Sequence, residues 1–216
     1  MKKVLIMNLS PRKKGTSAML AHRCQEFLEK GKNQVTLMHL YAHLNDLDSV
    51  LAGINESKTI MMIGPCYIDT YPADTMYLLE AMEKNQEILH GQDLYGIIQG
   101  GMPYIHTHES GLRTLACFAS ENNLNYQGGF VIGLGAMLNG QSLDKLPNGK
   151  KVEKQFELFL NHVSKDEASP KSLYDEAQLK MPGWVYGMMA KSMNRKIDRE
   201  RRKMGIRDNE KSPYDR

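Results

Sequence analysis

Eight residues near the amino terminus, Ser10-Pro11-Arg12-Lys13-Lys14-Gly15-Thr16-Ser17, bring three hydroxyls, three cations and a glycine into one short stretch. Hydroxyl and cationic donors at that density suit an anion. The glycine permits close backbone approach, and the proline stiffens the start of the loop. Where such a loop opens a helix, the free N–H groups and the positive dipole end of that helix add to the attraction, which makes a phosphate group the natural ligand. The stretch lacks the Gly-Lys-Ser/Thr ending of a triphosphate loop and the Gly-x-Gly-x-x-Gly of a dinucleotide fingerprint. Taken alone it also fits a basic surface connection, and the other loops decide between the two.

Three further groups could carry chemistry. Pro65-Cys66-Tyr67-Ile68-Asp69-Thr70-Tyr71 is an aromatic loop with a thiol, and Gly100-Gly101-Met102-Pro103-Tyr104 is a glycine loop. His106-Thr107-His108-Glu109 has the residue types of a metal site, but no third histidine or cysteine is in view and a closed site needs four ligands. The better reading is a loop beside a ligand that runs into a helix, leaving His106 and His108 able to meet a substrate. Cys66 is more simply a small buried hydrophobe than a reactive thiol, and Cys24 and Cys117 read as core-facing helix residues. Gly133-x-Gly135 has no third glycine at Leu138 and is no dinucleotide motif.

The elements that must position these groups are read from hydrophobic pattern. Val4-Leu5-Ile6-Met7, Gln34 to Leu40, Thr59 to Gly64, Leu94 to Gln99 and the stretch from Asn125 to Gly133 are short apolar runs, the type that forms strands buried on both faces. Amphipathic stretches lie between them. Ala18, Met19, Leu20, Ala21, Phe27 and Leu28 face inward from the first helix, which Gly31 ends. Pro72 fits the first position of a helix with Met76, Leu79 and Met82 inward, and Leu112, Leu115, Ala116 and Ala119 mark another over roughly 108–122. A last core helix carries Val152, Phe156, Phe159, Leu160 and Val163. Strands alternating with helices give an α/β fold, a doubly wound five-stranded parallel sheet covered on both faces. In such sheets ligands sit at the carboxyl ends of the strands, and all three loops lie on that edge. One phosphate site, one aromatic loop and one glycine loop suit a ligand with one phosphate and one flat ring system, the shape of flavin mononucleotide.

The chain of 216 residues carries a net charge of +3, which excludes a general polyanion-binding protein. The basic character is local: Lys191 to Arg207 holds eight Lys or Arg against Asp198 and Glu200. The apolar start ends at Asn8, too soon for a secretory signal, and no run approaches the roughly twenty apolar residues of a membrane span. Three scattered cysteines point to a reducing cytoplasm. A core domain over 1–165 and a basic helical extension over 166–216 are expected.

Between Lys3 and Leu138 the sequence resembles the flavodoxin-like NAD(P)H-dependent oxidoreductases, including the NADPH-dependent FMN reductases. Asn8-Leu9-Ser10-Pro11-Arg12 through Ser17 is similar to the family's phosphate loop, Pro65-Cys66-Tyr67 through Pro72 to its second flavin loop, and Gly100-Gly101 to its third. Leu9 stands where the family generally has Gly, so that it either crowds the phosphate or points into the core. Ile68 stands where an aromatic is common, which leaves ring stacking to Tyr67 or Tyr71. The resemblance implies that Ser10, Arg12, Thr16 and Ser17 hold the phosphate with Lys13 beside them. It places Pro65, Cys66, Tyr67 and Ile68 along one side of the flavin ring and Gly100, Gly101 and Tyr104 at its other edge, where backbone N–H groups approach a ring unhindered.

The implied function is an FMN-dependent oxidoreductase that takes hydride from NADPH or NADH and reduces a small acceptor, such as a quinone, flavin, nitro or azo compound. No catalytic side chain is required, because the cofactor carries the chemistry. A flavodoxin-type electron carrier and a cofactor-free partner-binding module are the alternatives. The resemblance also implies a homodimer. From Met181-Pro182-Gly183-Trp184 a helix to about Met204 sets Val185, Met188, Met189, Met193 and Ile197 against Lys191, Arg195, Arg199 and Arg202. Such a stripe packs on its own domain or on a second subunit more often than on an anionic membrane surface. Nucleic acid is not expected, since only Trp184 and Tyr186 could stack nearby.

Overall fold

The computed structural model describes residues 1–179 and 182–205. The chain divides into two compact units, Met1–Leu179 and Lys180–Arg216.

In the first unit β1 (Lys3–Asn8), β2 (Gln34–His39), β3 (Thr59–Pro65), β4 (Asp93–Gln99) and β5 (Asn125–Ile132) form one sheet in the order β2-β1-β3-β4-β5, with every neighbouring pair parallel. Burial of β3 and β4 at every residue explains why their sequences are continuous rather than alternating. The connecting helices are α1 (Thr16–Lys30), α2 (Leu40–His43), α3 (Leu47–Glu56), α4 (Ala73–Lys84), α5 (Glu109–Glu121), α6 (Gly149–Ser164) and α7 (Ser172–Ala177). The strand order reverses between β1 and β3, so their connections leave in opposite directions and open a crevice at the carboxyl edge. Asn8 of β1 lies opposite both His39 and Ile63, which brings the three strand ends level there.

Side chains alternate across the sheet and fix which helix covers which face. Tyr95 and Phe130 point to α6, where Phe130 meets the rings of Phe156 and Phe159 at 5.3 and 5.7 Å between centroids. Their neighbours Gly96 and Gly129, paired across β4 and β5, point the other way and leave room for α5. A Cβ on Gly96 would come within 2.6 Å of Leu112, and one on Gly129 within 2.8 Å of the same side chain.

Residues 166–179 belong to the sheet unit, beyond the boundary expected at 165. Ser169 N–H donates to the Gln127 carbonyl at 2.6 Å, and the Tyr95 hydroxyl donates to the Glu167 carbonyl at 2.9 Å, so this segment covers the outer edge of β5. At the opposite end of the strands Asp166 accepts from Lys2 and Lys58 at 2.6 and 2.9 Å and ties β1 and the start of β3 to the end of α6.

Pro72 caps α4 from one residue before it rather than opening it. Cys24 is buried as expected, whereas Cys117 is exposed. The helical repeat accounts for the difference: Leu112, Leu115 and Ala119 face the sheet, and Cys117 falls on the far side of α5. In the second unit α8 spans Gly183–Lys203, with Met188, Met193 and Ile197 exposed. Met181 and the side chains of Tyr186 and Met189 lie outside the described residues.

Candidate functional site

The loop after β1 is built by local hydrogen bonds. Leu9 N–H donates to the Ile63 carbonyl at 2.8 Å and continues the pairing with β3, and its fully buried side chain joins the core. Leu9 therefore does not crowd the loop. Ser10 N–H donates to Asn8 Oδ1 at 3.0 Å and Arg12 N–H to Ser10 Oγ at 3.2 Å, two side-chain-stabilised turns in succession. Gly15, at φ 152°, then delivers the chain into α1 with open space where a Cβ would stand. No side chain caps α1 and no acidic residue lies in its first turn, so its leading N–H groups and positive dipole end remain available to an anion.

The hydroxyls of this loop have different tasks. Thr16 Oγ1–H donates to the Gly135 carbonyl at 2.8 Å and fastens the loop after β5. Ser10 Oγ and Ser17 Oγ act as acceptors, the latter from Gln99 Nε2 at 3.4 Å, which leaves both O–H groups able to donate.

The loop after β3 begins with Cys66 N–H donating to the Gln99 carbonyl at 2.7 Å. Tyr67 and Thr70 then exchange backbone hydrogen bonds of 2.7 and 3.3 Å across Ile68 and Asp69, which have φ of 48° and 65°. Two left-handed residues inside such a pair make a type I′ turn, a geometry that favours Asn and Gly and penalises a β-branched residue. Ile68 is 98% exposed at its tip. The Cys66 thiol is half-buried, and desolvation together with the nearby Asp69 raises its pKa, so it stays protonated.

Tyr71 is not available for ring stacking. It is buried in the core, in a hole made by three glycines: a Cβ on Gly64 would stand 2.7 Å from its ring, one on Gly96 3.2 Å from its hydroxyl, and one on Gly111 3.3 Å from its ring. Its hydroxyl has no hydrogen-bond partner.

His108 is likewise a packing residue rather than a substrate contact. It is buried beneath Gly100, and its Nε2–H donates to the Met102 carbonyl at 3.2 Å. Gly100 N–H is itself taken by the Ile132 carbonyl at 3.2 Å, so this glycine accommodates His108 and does not present its N–H to a ligand. His106 is exposed and stacks on Tyr104 with 5.6 Å between centroids. Among the described residues no group of three or more His, Cys, Asp and Glu could hold a metal ion.

A cleft of about 110 Å³ lies where the loops converge. Ser10, Arg12, Thr16, Ser17, Pro65, Cys66, Tyr67, Gly100 and Gly101 line it, all named from the sequence. Lys13, Ile68 and Tyr104 do not. The loop after β5, which supplies Ala136 and Asn139, forms a wall that sequence reasoning missed, as it missed Gly15 and Gln99. That wall is held by Leu134 N–H to the Met102 carbonyl at 3.0 Å and Ala136 N–H to the Gly100 carbonyl at 3.3 Å. Its signal was present in the sequence: Gly133, Gly135 and Gly140 cluster just past a strand end. Gly140 comes so close to Gly15 that a Cβ there would lie 3.4 Å away. Arg12 is the sole charged residue of the lining, so the cleft is positive. Gln99 Oε1, buried at its floor, has no partner.

No protein-family model matches the chain, and no curated protein does. Solved structures do. The apo form of an NADH:FMN oxidoreductase superposes with a TM-score of 0.61 at 16% identity, over 81% of this chain and 94% of that one. A flavone reductase gives 0.59 at 11% identity over 82% and 66%, and a WrbA-like flavodoxin from Agrobacterium tumefaciens gives 0.55 at 12% over 77% and 99%. At these identities the likeness is one of architecture, and it agrees with the strand order: the chain has the flavodoxin-like fold.

Proposed function

We propose that the cleft binds FMN and that the chain is an FMN-dependent NAD(P)H oxidoreductase acting on a small acceptor. The observation that carries this reading is the meeting of an uncapped helix N-terminus and Arg12 with the Pro65–Tyr67 and Gly100–Gly101 loops, at the β1/β3 switch point, in a cleft lined by no carboxylate.

The residues present fit the group. Ser10 and Ser17 offer hydroxyl donors, Arg12 a charge, and the first turn of α1 its N–H groups; Thr16 contributes through its backbone, since its hydroxyl is engaged with Gly135. The unpartnered Gln99 Oε1 is the sort of acceptor that a bound donor satisfies. About 110 Å³ is small beside the roughly 300–1,000 Å³ of a pocket that encloses a whole ligand, so the phosphate end is held closely and the ring lies toward open solvent beside Tyr67. FMN, when bound, accepts hydride from a nicotinamide and passes electrons onward. The chain's own contribution is to anchor the phosphate, to line the ring with Pro65, Cys66 and Tyr67, and to keep the Cys66 thiol protonated beside it.

The test is the visible spectrum of the purified protein with added FMN, followed by NADPH or NADH without air. A bound yellow chromophore that bleaches on nicotinamide addition is expected. No chromophore would end the reading, and a chromophore that only a partner reductase can bleach would make the chain an electron carrier.

A further inference from the structure

Lys13 leaves the cleft and lines a second cavity of about 200 Å³ between α1 and the edge strand β2. Its polar rim is Lys13, His22 and His39, and its floor includes Ala21, Leu37 and Met38. No carboxylate lines it, so the rim presents one ammonium and two imidazoles with no opposing charge among them. An apolar floor under a rim of donors suits a ligand with a flat, weakly polar body and a compact anion attached to it. A purine nucleoside carrying a phosphate monoester has that form. The volume is below that of a site enclosing a whole drug-sized molecule, roughly 300–1,000 Å³, so the cavity takes one end of a longer ligand.

The two cavities share a wall. Arg12 lines the cleft and its neighbour Lys13 lines the second cavity, while the His39 ring meets the Arg12 carbonyl at 3.4 Å, where Nε2–H can donate. A ligand that reaches both must therefore be a dinucleotide. We propose that the second cavity is a subsite for the adenosine 2′-phosphate of NADPH, and that it makes NADPH rather than NADH the hydride donor. The proposal rests on the reading of the cleft as a flavin site. NADH has no 2′-phosphate and leaves the Lys13 ammonium and the two imidazoles unmatched, whereas the phosphate of NADPH accepts from all three.

Calorimetric titration of the full-length protein with adenosine 2′,5′-bisphosphate, adenosine 5′-monophosphate and inorganic phosphate tests it. The bisphosphate should bind at least about tenfold more tightly than the monophosphate, and Lys13→Gln should weaken it by about tenfold, with His22→Gln weakening it less. In steady-state assays Lys13→Gln should raise the KM for NADPH and leave that for NADH unchanged. Equal affinity for the two nucleotides, or a bisphosphate affinity indifferent to Lys13→Gln, would overturn the subsite. So would inorganic phosphate binding as tightly as the bisphosphate, which marks a plain anion site. Protein that binds the bisphosphate but takes up no flavin overturns the cleft reading and with it the NADPH assignment. Protein that takes up flavin but does not distinguish the nucleotides overturns the subsite alone.

Discussion

His108 stands where Gly100 would carry a side chain: a Cβ built on Gly100 falls 2.8 Å from both ring nitrogens. The ring has little room to yield, being buried and bonded to the Met102 carbonyl. Gly100→Ala should therefore cost about 1–3 kcal/mol, read as a lower urea midpoint. Adding His108→Ala to Gly100→Ala should recover part of that loss, because the two sites are in contact and their effects do not add. An unchanged midpoint in Gly100→Ala would show that the ring swings aside freely.

The same histidine sets a pH dependence. Burial lowers its pKa from the ordinary 6.5, against weaker upward pulls from the Met102 and Thr107 backbone. The unfolded chain thus takes up this proton at a higher pH than the folded one. The contribution to stability is fully present above 6.5 and is lost as pH falls from there through the folded value, by at most about 1.4 kcal/mol per pH unit. Denaturant titrations across this interval should show a shallower decline for His108→Gln than for the parent. Identical slopes would mean that the imidazole is protonated in the folded state as well.

Tyr71 offers a test with opposite signs. Its hydroxyl is buried without a partner, so Tyr71→Phe removes an unmet polar group and should leave stability unchanged or raise it by up to about 1 kcal/mol. Gly64→Ala, which brings a Cβ to 2.7 Å from the same ring, should lower it. Thermal unfolding of both variants is sufficient, and a lower Tm for Tyr71→Phe would reveal a partner for the hydroxyl.

At the rim of the cleft, Ile68 and Asp69 adopt left-handed backbone that Asn and Gly adopt readily. Since Ile68 is 98% exposed, replacing it forfeits no burial. The double change Ile68→Asn with Asp69→Gly should stabilise the fold by about 1 kcal/mol, a rise of a few degrees in Tm for a unit of this size. No rise would mean that the turn relaxes without strain.

These positions also show why parts of the site were legible in the sequence and others were not. The β1 loop and α1 form one continuous stretch whose apolar run, polar loop and amphipathic helix each carry their own signal, so Ser10, Arg12 and Ser17 could be placed from local pattern alone. Tyr71 looked like a loop aromatic free to stack. It is a core residue because Gly64, Gly96 and Gly111, remote in sequence, make a hole at one point in space. Lys13 is the converse case: adjacent residues of an irregular loop face different cavities, and composition does not say which faces where. Cys117 was a matter of helical phase, recoverable by counting from Leu112 and Leu115.

The division of labour within the phosphate loop gives the sharpest contrast. Ser10 and Arg12 face the cleft and carry no tertiary side-chain bond in the fold, so Ser10→Ala and Arg12→Ala should each weaken FMN binding, Arg12→Ala by about tenfold, with the unfolding midpoint of the flavin-free protein unchanged. Thr16→Val should do the reverse. It removes the buried bond to the Gly135 carbonyl and leaves that acceptor unmet, a loss of about 1–3 kcal/mol in stability. Its flavin affinity should fall less than that of Arg12→Ala, because the Thr16 backbone N–H at the head of α1 remains in place. Fluorescence quenching of FMN gives the affinity and urea unfolding the stability. Equal FMN affinity in Arg12→Ala and the parent would mean that the phosphate is held somewhere other than the head of α1.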